Sequence, residues 1–460
     1  MGDVLSKAKS FYLDDASNGD VRGVAWPREL NLLHFGEKFN QPITEVAWPA
    51  SLETTMFGKD FNQPLQGVAW PVSLQHLLFF GGVYSIVGVS WPPLLQSVRF
   101  FGSLLNESLS RNTWPVSLKL IYFGGGFNEP IDAVAWPPSL ERLFLGKDFN
   151  QPIAGVNWPT CLDVLQLGDA FNQPIAAVAW PASLEKLFFG TDFNQPIAGV
   201  NWPTCLEMLQ LGFNFSQPIT GVTWPASLED ICLGYAFNLP IAGVKWPAFL
   251  KNITFGEMFN QAVDKVTWPG SLKEIKFGSY FNQPISAVQW PASLEQLTFE
   301  RDFNQPIAAV AWPRSLLQLR FGMYFNQPIA DVSWPDSLEE IGFCRKFKPW
   351  YRPPVIMSMD EQKSAGVLSF FNQPINEVRW PPSLLKIVFG ESFNQPVAGV
   401  AWPPSLRELA FSRDFSLPSE SFEWPASLEQ LTIARRRNEP LPSWPGVQVS
   451  GIWKAYWDIR

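Results

Sequence analysis

A mainly β solenoid of about 20 coils, each of 22 residues, is the fold that this sequence predicts. Three observations predict it. Trp-Pro recurs at Trp136, Trp158, Trp180, Trp202, Trp224, Trp246, Trp268, Trp290, Trp312 and Trp334, each step 22 residues, and continues with small slips to Trp26 and Trp444. Apolar residues alternate as in a strand with one buried face: Leu187 and Phe189 are two apart, which leaves Lys186 and Phe188 outward. An Asn recurs at one place in most repeats, and side chains stacked in register form ladders along an axis. A fixed period of this size means that each repeat is one coil, unable to bury its apolar face without its neighbours.

The coil from Trp180 shows how each position is used. Leu184, Leu187 and Phe189 keep an L-x-x-L-x-F spacing, and Phe193 returns to the core. Gly190 ends the strand, where a turn with unusual dihedrals is expected. Asn194 follows, as do Asn150, Asn172, Asn282, Asn304 and Asn326 in their own coils. An amide there can satisfy loop N–H and C=O groups that would otherwise be unpaired. Pro196 fixes the next corner. Val200 and Trp202 are again two apart, so a second short extended segment is expected on the opposite wall. Pro203 and residues of the Ser183 type turn the chain back, where a missing ladder N–H costs nothing.

Along the chain the first coil is partial, with Phe11 and Leu13 in the strand places and Asn18 in the ladder place. The coils at Trp91 and Trp114 are irregular by one residue in opposite senses, so a bulge is expected there. Trp334 and Trp380 are 46 residues apart, which equals two coils plus two residues. The organisation read from the sequence is a tail at 1–10 and repeats at 11–343. A degenerate coil or protruding basic loop follows at 344–370, then repeats at 371–445 and a C-terminal cap at 446–460.

The motif L-x-x-L-x-F-G-x-x-F-N-x-P-I resembles the FNIP repeat, a relative of leucine-rich repeats, over roughly residues 11–445; F-N-Q-P is intact ten times, as at Phe61, Phe149 and Phe393. The resemblance implies a right-handed parallel β-solenoid, LRR-like and curved with a concave strand face, and a role in protein interaction. The family commonly has Leu-Pro where this chain has Trp-Pro, so this wall is bulkier. Some family members carry an F-box or kinase domain beside the repeats, and the short tail argues against either here.

Composition narrows the function. The net charge of −8 disfavours a phosphate backbone as partner, so nucleic acid is not expected. No apolar run is long enough to span a bilayer, and the N-terminus has no export signal, so no membrane is expected and the location is read as cytoplasmic. Four free cysteines fit a reducing compartment. His34 and His76 are the only histidines and lie two coils apart. Neither a metal set, a phosphate loop nor a nucleophile motif is present, so no enzyme, cofactor or metal is expected.

What varies between coils is the pair of outward strand places, six and eight after Trp. Leu120, Tyr122, Phe144, Val164, Phe188 and Met208 form the expected exposed apolar cluster. Arg142, Lys276 and Arg320 carry charge in the same places, and Trp350 and Tyr351 offer an aromatic anchor in the basic segment. Five after Trp the residue is usually acidic, as at Glu141, Asp163, Glu185 and Glu207, with Lys119, Lys251 and Lys273 interrupting. The expectation is a monomeric, non-catalytic scaffold that binds another protein on its strand face. The alternative is a carbohydrate- or surface-binding solenoid using the aromatic side chains as sugar platforms.

Overall fold

The computed structural model describes residues 8–82, 85–102, 109–343, 369–411, 415–416, 422–434 and 447–452. Among them are twenty strands and a single helical turn, the 3-10 segment Leu109–Arg111. The chain divides into two compact units, residues 1–213 and 214–460.

In the first unit the strands are β1 (Ser10–Tyr12), β2 (Leu32–His34), β3 (Thr54–Phe57), β4 (His76–Phe79), β5 (Ser97–Phe100), β6 (Leu120–Tyr122), β7 (Arg142–Phe144), β8 (Val164–Gln166), β9 (Lys186–Phe188) and β10 (Met208–Gln210). Each pairs in parallel with the next, in the register that the 22-residue period demands: Val164 with Lys186, Leu165 with Leu187, Gln166 with Phe188. The second unit repeats the pattern from β11 (Asp230–Cys232) through β12 (Asn252–Thr254), β13 (Glu274–Lys276), β14 (Gln296–Thr298), β15 (Gln318–Arg320), β16 (Glu340–Gly342), β17 (Lys386–Val388), β18 (Glu408–Phe411) and β19 (Gln430–Ala434) to β20 (Gln448–Ile452).

The central residue of each short strand points inward: Ile121, Leu143, Leu165 and Leu187 are fully buried. The second core column is aromatic. Phe149, Phe171 and Phe193 stack at 6.1–6.2 Å, nearly parallel. On the far wall Trp158 stacks on Trp180 at 6.3 Å, and Trp312 on Trp334 at the same distance. Among the described residues that wall contains no second strand. Val200 N–H donates to Ile197 O at 3.4 Å, and Leu206 N–H to Pro203 O at 3.3 Å. Successive tight turns replace the expected extended segment, because the prolines leave no N–H for a second ladder.

The glycine after each strand has a different reason from the expected one. Gly190 is not among the left-handed glycines, which include Gly199 in the following turn (φ 79°). A Cβ on Gly190 would lie 2.1 Å from Gly168 O and 2.5 Å from Asp169 Cα. At Gly190 the successive coils approach too closely for a side chain to fit without a shift.

The asparagine ladder has a second rail. Asn172 Oδ1 accepts from Asn194 N–H at 2.9 Å and from Gln195 Nε2 at 3.1 Å. The same arrangement recurs from Asn150 to Asn172, and from Asn282 through Asn304 to Asn326. These amides are half-buried, each bridging to the next coil. Replacing Asn172 by Leu leaves the Asn194 N–H without an acceptor. The expected loss is about 1–3 kcal/mol in urea denaturation. Another ladder runs beside it: Ser139 and Ser183 Oγ donate to Leu118 and Leu162 O at 2.8 Å. Cys161 and Cys205 occupy that serine place as free, exposed thiols.

Two irregularities are explained by the stack. In the 23-residue step to Trp114, Leu109 takes the wall isoleucine place and Asn112 the valine place. Asn112 is 4% exposed and neither side-chain amide atom has a partner. Asn112→Val is therefore expected to raise stability by about 1 kcal/mol in the same assay, since it removes an unpaired buried amide.

The break before Trp380 is a single coil with 24 extra residues rather than two coils. β16 pairs directly with β17, Asn372 N–H donates to Asn326 Oδ1 at 3.0 Å, and Trp334 stacks on Trp380 at 6.5 Å. A decayed coil within the stack would separate these partners. Residues 344–368, with Trp350 and Tyr351, lie outside the described residues, as do the tail at 1–7 and the last residues of the cap, 453–460. Tyr84 and residues 103–108, where the bulge was expected, also lie outside them.

Candidate functional site

A three-residue strand with its middle residue inward presents the other two on the opposite face. The parallel register turns these pairs into two columns. In the first unit one column is Leu120, Arg142, Val164, Lys186 and Met208, and the other is Tyr122, Phe144, Gln166 and Phe188. Arg142 and Lys186 are exposed and the others half-buried.

The structure does not make one continuous cluster of the six apolar residues read from the sequence. Gln166 separates Phe144 from Phe188, while Arg142 and Lys186 separate Leu120, Val164 and Met208. The continuous part is aromatic and extends the other way. Tyr122 meets Phe144 at 5.8 Å and Phe101 at 5.1 Å, and Phe101 stacks on Phe80 at 4.8 Å. Phe80 and Phe101 are each 41% exposed, and sequence reasoning missed both. The signal was present: in the coils at Trp70 and Trp91 the glycine stands eleven places after Trp, where most coils have it ten after, so each carries one extra residue before its glycine. The first Phe of each pair, Phe79 or Phe100, fills the core, and the second has only the outside left to it.

The flanks of this face are acidic. Immediately before the strands, Glu141 pairs with Lys119 at 2.8 Å. Asp163, Glu185 and Glu207 follow in that line without an ion-pair partner among the described residues. Burial, ahead of the opposing charge of Arg142, pushes the Asp163 carboxyl above its ordinary range. Beyond the strands stand Asp148, Asp169 and Asp192, and burial likewise raises Asp169. Asp163 Oδ1 and Gln166 Oε1 are enclosed and meet no donor.

The second unit presents a face of another kind. Lys276 Nζ is 3.3 Å from Glu300, and Arg320 Nη2 is 3.0 Å from Glu340. Lys386 pairs with Glu408, and Asn252 donates to Asp230. Glu300 is nearly buried in the place where other coils have the glycine. The interrupting lysines are also partnered: Lys251 meets Glu229, and Lys273 meets Glu295, at 2.7 Å. Lys276 and Arg320, candidates from the sequence, thus have their charges engaged within the chain.

His34 lies on β2 and His76 on β4, with β3 between them. No group of three His, Cys, Asp or Glu side chains suited to a metal ion occurs among the described residues. No helix among them is long and apolar enough to cross a membrane.

A family model described as FNIP Repeat matches residues 106–148, 149–192, 237–280, 259–302, 303–346 and 371–414. Among solved structures the chain is similar to CroV588, described as a novel circular LRR protein, with a TM-score of 0.73 and 30% identity over 93% of this chain. The chain spans 66% of that protein's length. The functional domain of InlJ from Listeria monocytogenes, described as including a cysteine ladder, has a TM-score of 0.44 and 11% identity over 74% of this chain and 73% of that one. No curated protein matches the chain.

Proposed function

The chain belongs to the FNIP repeat family, and on that premise we propose that it is a non-catalytic scaffold that holds another protein on the outward side chains of its parallel strands. The observation that carries this reading is the aromatic row Phe80, Phe101, Tyr122 and Phe144. Four rings in contact across four coils stay partly open to solvent, although the frame does not require them there. An open aromatic surface of this kind is costly to leave in water and is a common anchor for a partner.

Ring geometry separates this reading from sugar binding. A sugar platform needs a ring face turned outward. Along this row the faces are turned largely toward one another, at 12° between Phe80 and Phe101 and 38° between the next pairs. Ring edges are left outward, and these suit the side chains of a protein partner.

The test compares affinity capture by the wild type and by the triple variant Tyr122→Ala/Phe144→Ala/Phe188→Ala. The variant should lose the partners that the wild type recovers while keeping its circular dichroism spectrum. Recovery of the same partners by both would show that this face is not the site.

A further inference from the structure

We infer that the partner segment held on this face is an amphipathic helix, laid parallel to the strands with its apolar stripe across the coils at Trp70, Trp91 and Trp114. The inference rests on the strand-face reading and adds to it the form and chemistry of the occupant.

The first ground is apolar surface on a second side of the same coils. Val72, Leu94 and Val116, in the turns that lead into β4, β5 and β6, are 65%, 50% and 76% exposed. Phe80 and Phe101 stand just beyond the far ends of β4 and β5, so open apolar side chains flank these strands at both ends. The frame requires none of them. Two places after Trp, where Val72 and Val116 stand, the neighbouring coils have Ala50 and Pro138. Leu94 takes the place where Ser73 and Ser117 donate to carbonyls of the preceding coil.

The second ground is the lack of free polar groups in this belt. Five after Trp, Glu53 and Glu141 stand in the coils on either side. Within the belt Gln75 and Gln96 replace the acid, and Lys119 is paired with Glu141. From Trp70 to Gly82 the chain has no Asp, Glu, Lys or Arg. The polar side chains here bond to one another: Gln96 Nε2 donates to Gln75 Oε1, and His76 Nδ1 meets Ser97 Oγ, both at 2.9 Å. Burial, ahead of the charge of Arg99, lowers the His76 pKa, so its ring is uncharged at neutral pH. The charged exception is Arg99 on β5, which one acceptor on the helix would meet.

Such a surface selects against an extended segment. β4, β5 and β6 are hydrogen-bonded to strands on both sides, so no ladder is open to a further strand. An extended chain would set its own N–H and C=O groups against apolar side chains and amides already engaged, which is costly. A helix satisfies its backbone internally and presents an apolar stripe. The dimensions agree. From β4 to β6 is about 10 Å, close to the width of a helix. From the entry turns to the far ends of the strands, a helix of roughly 12–15 residues covers the belt.

The test pans a phage-displayed library of random peptides of about 16 residues, long enough for four turns of helix, against the full chain. The strongest binder should carry aliphatic or aromatic residues at i, i+3, i+4 and i+7, and added salt should change its affinity little. A proline at a position in its centre outside that stripe should abolish binding. The peptide should bind about tenfold more weakly to Val72→Ser/Leu94→Ser/Val116→Ser and to Tyr122→Ala/Phe144→Ala. All of these side chains are outward, and circular dichroism should show the fold kept in both variants. Tolerance of the proline, or an affinity indifferent to the triple variant, overturns the helix inference. If binding is then still lost in Tyr122→Ala/Phe144→Ala, the strand-face reading stands alone; indifference to both variants removes both. Sedimentation with phosphatidylcholine vesicles covers the remaining occupant. The chain should stay in solution, and pelleting that the triple variant abolishes would make the belt a lipid surface and overturn the inference.

Discussion

Gly146→Ala is expected to lower stability by at least about 3 kcal/mol, whereas Gly155→Ala, in the same coil, is expected to be nearly neutral. The two substitutions add the same methyl group. At Gly146 its carbon would lie 1.7 Å from Gly124 O and 2.7 Å from Gly124 C, both backbone atoms of the preceding coil. Relief requires the coils to move apart, which disturbs the parallel pairing of β6 with β7 and the stacked phenylalanines. At Gly155 the nearest atom is Asp132 Cβ at 3.7 Å, an ordinary contact, and the backbone is not left-handed. Urea denaturation followed by circular dichroism compares them directly. Equal midpoints would mean that the close approach of the coils does not limit stability.

Phe193→Ala is expected to cost about 3–5 kcal/mol, against less than about 1 kcal/mol for Phe188→Ala. These phenylalanines are five residues apart and lie on opposite sides of the strand wall. Phe193 is fully buried, 3.9 Å from Phe189 and 6.1 Å from Phe171 between ring centroids. Its removal leaves a cavity that two neighbouring rings cannot both fill. Phe188 is half-buried on the outer face and supports no other coil's core. The denaturant slope should be measured along with the midpoint, because a repeat stack can open at a weakened coil before the rest unfolds.

This contrast also shows what the sequence could reveal. Leu187 and Phe193 were legible as core because their spacing follows the strand period and the coil period together. Lys186 and Phe188 were legible as outward for the same reason. Gly190 was legible as a residue that recurs at its place in most coils, but the cause lay in the distance between coils, which no single coil's sequence encodes. The asparagine ladder was legible from its recurrence. Its glutamine partner was overlooked, although Gln195 follows Asn194 and the pair recurs in every intact F-N-Q-P. That omission came from reading the ladder as Asn on Asn, whereas Asn172 Oδ1 has two acceptor sites and two coils' worth of geometry to fill them.

The candidate face was half legible. Tyr122 and Phe144 follow from the register alone. Phe80 and Phe101 do not, because an extra residue beside a core phenylalanine can be assigned to either side of the wall. The ion pairs of Lys276 with Glu300 and Arg320 with Glu340 were also hidden. They join side chains in neighbouring coils, one of them from a glycine place that Glu300 fills. Those pairs move the weight of the reading from the second unit to the first, where the aromatic rings lie together.

The central claim is that the frame carries stability while the outer strand face of the first unit carries recognition. Hydroxyl-radical footprinting of the chain, alone and with its captured partner, tests it most directly. The account predicts protection on binding at Phe80, Phe101, Tyr122 and Phe144, with oxidation of the exposed Phe249 and Tyr324 unchanged. Protection at those second-unit residues, with the four-ring row as reactive as before, would contradict it.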